Sequence, residues 1–334
     1  MKKSSETLVY IASSVHDGGI WRYRLTAKGE LSPLDMLPIA SPNYAYRDGD
    51  FVWVTLCPQD EVESEGAVLR LKIDQNGNLS RAGEELPCGG VTSCHLAVSG
   101  EDVYVANYSS GSVTRLGEKP IVHEGRGVDP QRQEMPHCHS TVFSPDHRFV
   151  LVCDLGLDTV FVYDREMNEV SRAKVPDGEG CRHLVFSHDG RFVYVVNELG
   201  CSVSVFGYAD GRMSYLSTTP TRTYREHEGP HKGSAIKLSK NGRYLFITNR
   251  GEDEVVTMKI TGGGRRVKVV SRISTEGREP RDFALLLDER FAIVTNQFSD
   301  SIVLYRVGRF PFGRLRRIAR FSIPAPLFVS ELKP

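Results

Sequence analysis

The 334-residue chain has no excess of charge of either sign, since 42 Lys+Arg stand against 42 Asp+Glu. Proteins that work on nucleic acid or on an anionic membrane surface ordinarily carry a basic surplus, so neither is expected as a partner. It also lacks any apolar run of 18 residues, which argues against a membrane-crossing helix. The start, MKKSSETLVYIASS, has two lysines but no apolar core ahead of a cleavage site, and the reading is therefore a soluble cytoplasmic protein. No CxxC pair occurs among the seven cysteines at 57, 88, 94, 138, 153, 181 and 201, and several lie inside apolar runs such as VLVCDLG. An odd, scattered set of this kind excludes a disulfide framework and points to reduced structural thiols. Finally, no segment has a convincing amphipathic helical period, which leaves an all-β chain.

What the chain does have is a repeat. An apolar β-branched or aromatic run ending in a polar residue recurs as VYIAS, VWVTL, VYVAN, VLVCD, VYVVN, LFITN and AIVTN. The fifth positions are Ser13, Leu56, Asn107, Asp154, Asn197, Asn249 and Asn296, at gaps of 43, 51, 47, 43, 52 and 47 residues. That period is the one expected of four-stranded propeller blades, and seven units predict seven blades. Before each run stands a shorter strand and a tight turn, as in HSTVFSPDHR, HLVFSHDGR and SAIKLSKNGR, and after it a third alternating strand such as SVSVFGY or SIVLYRV. Asp-Gly and Asn-Gly supply the positive φ that such hairpin turns require. The N-terminal unit begins directly with the run at Leu8–Ala12 and lacks its own first strand, whereas the C-terminal PLFVSEL looks like a first strand with no run after it. The expectation is one seven-bladed β-propeller of four-stranded antiparallel blades over 1–334, closed by the C-terminal strand pairing with the N-terminal blade.

Topology then locates a candidate site. In an antiparallel meander the start of the first strand and the end of the second lie at the same end of the sheet, close to the central channel. The residues there are His95, His137, His139, Arg182, His183, Lys232 and Arg281 on entry, and Asn107, Asp154, Glu198, Arg250 and Gln297 on exit. The opposite turns, SPDHR, SHDG and SKNG, carry only hairpin chemistry. One mouth of the channel therefore reads as functional. Arg182, Arg250 and Arg281 offer planar forks for phosphate or carboxylate, and Lys232 adds a point charge. A histidine needs little tuning to act as a base at neutral pH, while Glu198 among arginines would be acidified. Either His139 or Glu198 could activate water.

The ordered set PHCH, DLGLD, CRH, NEL, NRG and PRDF, within QEMPHCHSTVFSPDHRFVLVCDLGLDTVFVY and the strings after it, resembles the seven-bladed lactonase family. That family includes propeller-type bacterial 6-phosphogluconolactonase and the fungal carboxymuconate lactonizing enzyme. The resemblance is clear from about Cys94 onward and weaker over the first two blades. It implies hydrolysis of a lactone ester without a metal or other cofactor. Its implied catalytic set is His137 or His139, Arg182 and Glu198, with Arg250 and His183 carried over beside them. The charge and placement of Arg281, Lys232, Gln297 and Asn107 add them as substrate contacts. Cys181 stands where the family commonly has proline, and Cys57 to Gly66 is inserted between the second and third strands of blade 2.

The expected partner is a small anionic lactone, foremost 6-phosphogluconolactone of the pentose phosphate pathway, on a monomer or weak homodimer. A tricarboxylate muconolactone would suit the same arginines, and YVTN-like phrases would equally suit a non-catalytic interaction scaffold. Blander roles are read for other residues. Two histidines in HxH are too few for zinc, so no metal is expected. Asp154, Asp158 and the repeated asparagines read as turn formers. RFPFGRLRRIAR reads as the loop and outer strand of the last blade, and TGGGRRVK as a hairpin.

Overall fold

The computed structural model describes residues 5–58, 64–223, 231–309 and 312–333. It consists of seven four-stranded antiparallel sheets. Six are sequential meanders whose innermost strands are Pro42–Asp48, Ser93–Ser99, Cys138–Phe143, Cys181–Phe186, Lys232–Leu238 and Pro280–Leu286, in blades 2 to 7. Blade 1 takes Glu6–Ser13, Gly19–Thr26 and Leu31–Pro38 from the N-terminal region and its innermost strand, Pro326–Ser330, from the C-terminal region. Ile11 faces Val329 and Ala12 faces Phe328 in that closing pair. The expected seven blades and the expected closure are both present.

The repeated runs form the second strand of each blade. Phe149–Asp154, Phe192–Asn197 and Phe291–Asn296 are buried at every residue, because each blade packs a neighbour on both faces. Alternation is consequently lost there and returns only toward the rim, as in the mostly exposed Glu169–Lys174. The core lies between blades rather than inside one. Phe246 of blade 6 stacks on Phe283 of blade 7 with ring centroids 5.3 Å apart, both fully buried. Each such side chain contributes about 1.5–3 kcal/mol through removal of apolar area from water.

The asparagines that end these strands act inside the blade. Asn197 Nδ2 donates to Ser202 Oγ at 2.7 Å and Ser204 Oγ at 2.8 Å, and Asn107 Nδ2 donates to Thr114 Oγ1 at 3.0 Å. They fasten the second strand to the third. In DLGLD, Asp158 accepts the Gly178 and Gly180 amides at 2.8 and 2.6 Å, and Asp154 accepts the His137 amide at 2.8 Å. TGGGRRVK forms the turn between Glu254–Thr261 and Arg266–Ser274, and the arginine-rich run lies in Phe312–Ser322, the outermost strand of blade 7. Half of the Cys57–Gly66 insertion, residues 59–63, falls outside the described residues.

One irregularity recurs and positions everything that follows. Near the channel mouth the innermost strand of every blade carries a register shift against the second strand. Blades 1 to 5 and 7 skip one residue there: Leu327, Asn43, Cys94, His139, Arg182 and Arg281. Blade 6 skips two, Ser234 and Ala235. A bulge re-aims the extra side chain and interrupts pairing. Here it builds a ring of residues at one level of the channel.

Candidate active site

The bulge ring is chemically one-sided. Leu327, Asn43 and Cys94 occupy one arc, and His139, Arg182 and Arg281 line the other; together they surround a cavity of ≈ 30 Å³ that Tyr44, His183 and Asp282 complete. Glu198, the first residue after the second strand of blade 5, stands over this arc with its side chain 4% exposed. Both of its oxygens are engaged by arginine. Arg182 Nε donates to Oε2 at 3.1 Å, Arg250 Nη2 lies 2.6 Å from the same oxygen, and Arg132 Nη2 donates to Oε1 at 2.8 Å. His139 Nε2 is 3.9 Å from Oε2.

The charges are strongly coupled. Burial alone would raise the Glu198 carboxyl, but Arg250, Arg182, His139 and Arg132 together outweigh it and hold the group well below the ordinary carboxylate range. Glu198 is thus a counter-ion with no free lone pair facing water, and a poor base. His139 is pushed well below the ordinary histidine value by burial, then by Arg182, against the opposing pull of Glu198. It is therefore neutral at physiological pH, and a weaker proton acceptor than an ordinary histidine. Burial, followed by Arg281 and Arg250, also lowers Arg182.

Positive charge remains in surplus at the mouth. Arg250 is shared between Glu198 and Glu279, whose Oε1 it meets at 3.1 Å, and its buried Nε–H has no partner among the described residues. Arg281, on the cavity wall, has no side-chain ion pair among the described residues, and burial followed by Arg250 lowers its pKa. Lys232 is half-buried beside Arg250, and it is lowered by burial and then by that neighbour. Unpaired cations in a confined mouth call for an anion.

The other expected contacts divide. His137 stacks on Tyr108 at 4.4 Å with Nδ1 3.1 Å from the Tyr108 carbonyl, while His139 meets the same ring edge-on at 5.4 Å. The two histidines thus clamp Tyr108, and only His139 reaches the Glu198 cluster. His183 lines the cavity and its Nε2 accepts from Arg182 Nη1 at 3.3 Å. Asn107 is not brought to the site: its amide is fully committed within blade 3, accepting from Ser93 Oγ at 2.8 Å and donating to its own turn. Gln297 opens the short Gln297–Ser299 turn of blade 7, where its backbone amide donates to the Glu279 carbonyl at 3.0 Å as the Glu198 amide does to the Gly180 carbonyl at 2.7 Å.

Sequence reasoning missed Arg132, Tyr108 and Glu279. Arg132 sits on the strand-free segment between blades 3 and 4, where Gln133 accepts the Val128 and Asp129 amides and donates to the Leu155 carbonyl at 2.9 Å. The available signal was an arginine in GRGVDPQRQEM directly ahead of PHCH. Away from the mouth, His123, Cys138 and Asp154 form the group of potential metal ligands among the described residues, with their ligand atoms within 4.8 Å. They already satisfy one another: His123 Nδ1 lies 2.6 Å from Asp154 Oδ2 and its Nε2 2.8 Å from the Tyr163 hydroxyl.

The sequence matches the seven-bladed β-propeller lactonase family over residues 8–330. The chain belongs to that family. Among solved structures, this lactonase propeller is similar to a Bacteroides fragilis protein provisionally described as a 6-phosphogluconolactonase, with 27% identity, a TM-score of 0.88 and 99% of each chain covered. It is similar to the periplasmic gluconolactonase of Pseudomonas aeruginosa at 26% identity and a TM-score of 0.88, covering 98% of this chain and 99% of that one. An uncharacterized protein of Staphylococcus aureus (strain N315) is 28% identical over 317 residues, 88% of the lactonase propeller and 90% of the relative. No helix among the described residues is long and apolar enough to cross a membrane.

Proposed function

We propose that this lactonase propeller hydrolyses the ester bond of an anionic sugar lactone, with 6-phosphogluconolactone as the first candidate. The observation that carries the reading is the cation surplus at the mouth: Arg281 and Lys232 have no ion pair among the described residues, and Arg250 keeps an unpartnered Nε–H, beside a neutral histidine. A phosphorylated sugar supplies the missing negative charge. The structural relatives named for gluconolactone and phosphogluconolactone chemistry support the same substrate class.

In this reading the arginines hold the phosphate and polarise the lactone carbonyl, whose oxygen gains negative charge as the tetrahedral intermediate forms. Water attacks the carbonyl carbon, and His139 takes its proton. The ≈ 30 Å³ cavity that His139, Arg182 and Arg281 line is roomy enough to hold a water. Collapse of the intermediate breaks the ring C–O bond, and the alkoxide recovers a proton from His139. Glu198 serves as the fixed counter-ion that aligns Arg132, Arg182 and Arg250.

The test is the metal-independent hydrolysis of freshly generated 6-phosphoglucono-δ-lactone, with EDTA present, by wild type and His139→Gln. Loss of the base should lower kcat by about two orders of magnitude or more while binding survives. Turnover of a muconolactone in place of the sugar lactone would reassign the substrate. A folded protein inert toward both would leave the scaffold reading in its place.

A further inference from the structure

Below the bulge ring, a layer of rings divides the central channel. Tyr44 stacks on His95 at 4.0 Å, His95 meets His183 edge-on at 5.0 Å, and Tyr44 meets Phe328 edge-on at 5.0 Å. On the far side of this layer lies a second and much larger cavity of ≈ 390 Å³, walled by the innermost strands of blades 2 to 6. It reaches the Ser144–His147 turn of blade 4, which belongs to the end of the propeller opposite the candidate active site. Nothing in the proposed hydrolysis uses it.

Its chemistry is specific. The walls are apolar or aromatic, with Tyr46, Val142, Phe143, Val185, Phe186 and Ile236 prominent. Polar groups lie at both ends, with Ser144 and His147 at the outer one. Thr141 N donates to His95 Nδ1 at 3.4 Å and Arg182 donates to His183 Nε2, which assigns the remaining proton to Nε2 of His95 and Nδ1 of His183. Neither of those N–H groups has a partner among the described residues, although His95 is only 7% exposed. Lys237 is the one lysine or arginine among the lining residues, and it leans on Asp282 Oδ1 at 3.0 Å.

We propose that this cavity is a second ligand site, for a compact aromatic monocarboxylate. The ring would fill the space between Phe143, Phe186 and the valines, and the carboxylate would accept from the two unpartnered imidazole N–H groups and from Lys237. Three observations support that class over others. The volume falls within the ~300–1,000 Å³ of small-molecule pockets, too small for a peptide. The unpartnered donors converge at the inner end, whereas Ser144 and His147 at the outer end are held by Asp146 and Ser99, which fits a ligand with one charged end. The donor set contains N–H groups and a cation, which favours an acceptor-only anion over a sugar that needs both donors and acceptors.

Phenylacetate and its neutral analogue phenylacetamide are suitable probes, followed by ligand-observed NMR and calorimetry on the full chain. Phenylacetate should bind once per chain, at least tenfold more tightly than phenylacetamide. Binding should weaken at least tenfold in Lys237→Met and should vanish when Val185→Phe fills the cavity. Val142→Phe fills it from a different blade should Val185→Phe misfold. No saturable binding, equal binding of acid and amide, or retention of binding in both filling variants would each overturn the site. None of these outcomes depends on whether the opposite mouth hydrolyses lactones.

Discussion

Replacing Glu198 by Gln isolates the counter-ion role assigned to this residue. The carboxylate accepts from Arg182 and Arg250 on one oxygen and from Arg132 on the other. An amide keeps one acceptor and turns the other position into an N–H donor aimed at a guanidinium, so at least one arginine loses its partner. Glu198 is 4% exposed and the Arg182 and Arg250 side chains 4% and 3%, so solvent does little to screen the change. Breaking a buried pair in this way costs ~3–5 kcal/mol. At about 2 °C per kcal/mol for a chain of this size, Tm should fall by roughly 5–10 °C. The pH dependence has a definite sign. The folded carboxyl lies below its unfolded value, near 4.3, so its contribution is complete above that pH and disappears as the pH falls toward the depressed folded value. The gap in Tm between wild type and variant should thus be full at pH 7, begin to narrow only below about pH 4 and close as the pH approaches the depressed folded value. Inorganic phosphate, which can replace the lost charge, should raise the variant's Tm more than the wild type's. Differential scanning calorimetry across pH and phosphate concentration reads all three effects. Equal Tm values at pH 7 with no differential response to phosphate would refute the counter-ion assignment.

Three further outcomes are expected. Burial and Arg182 hold His139 well below the usual histidine range, so kcat/KM for the lactone, corrected for spontaneous hydrolysis, should stay level through pH 6.5 and fall only at distinctly lower pH; an acid limb centred near 6.5 would exclude it as the base. Arg281→Met removes an unpaired cation from the cavity wall and should raise KM for the phosphorylated lactone about tenfold or more, with a smaller effect on glucono-δ-lactone; parallel changes for both substrates would remove Arg281 from phosphate recognition. Burial raises the Cys94 thiol to about 12, and the other six cysteines are buried, so the native protein should resist alkylation at neutral pH until unfolded. Mass spectrometry after iodoacetamide treatment of the folded protein checks this, and fast labelling would show that Cys94 is accessible.

The repeat made the architecture legible because a strand buried on both faces must be apolar throughout, and VYVVN or LFITN announces that burial without structural help. The polar ends of those strands also singled out one mouth, where the structure brings Glu198, Arg182, Arg250 and His139 together. Two kinds of information were hidden. A β-bulge has no composition of its own, so nothing in GCRHLVF separates the bulged Arg182 from a regularly paired residue, although the bulge is what turns it into the channel. Arg132 arrives on a segment without strand periodicity, ordered by the Gln133 side chain, and pattern reading assigns such segments no position. Asn107 was misplaced for a related reason: lying at one end of a strand says nothing about which way the side chain turns, and the Asn107 amide turns inward to its own blade.

The closing strand also sets an order of events. Glu6–Ser13 cannot acquire its inner neighbour until Pro326–Ser330 has been synthesised, and Ser13 donates to the carbonyl of Pro324, 311 residues away in sequence. As the chain emerges from the ribosome, blades 2 to 7 are each completed by their own consecutive strands, whereas blade 1 waits with an open edge for nearly the whole of translation. That edge is the one most exposed to pairing with another nascent chain. Conditions that slow completion of the last blade should therefore raise the yield of aggregates, even where the finished ring is unaffected.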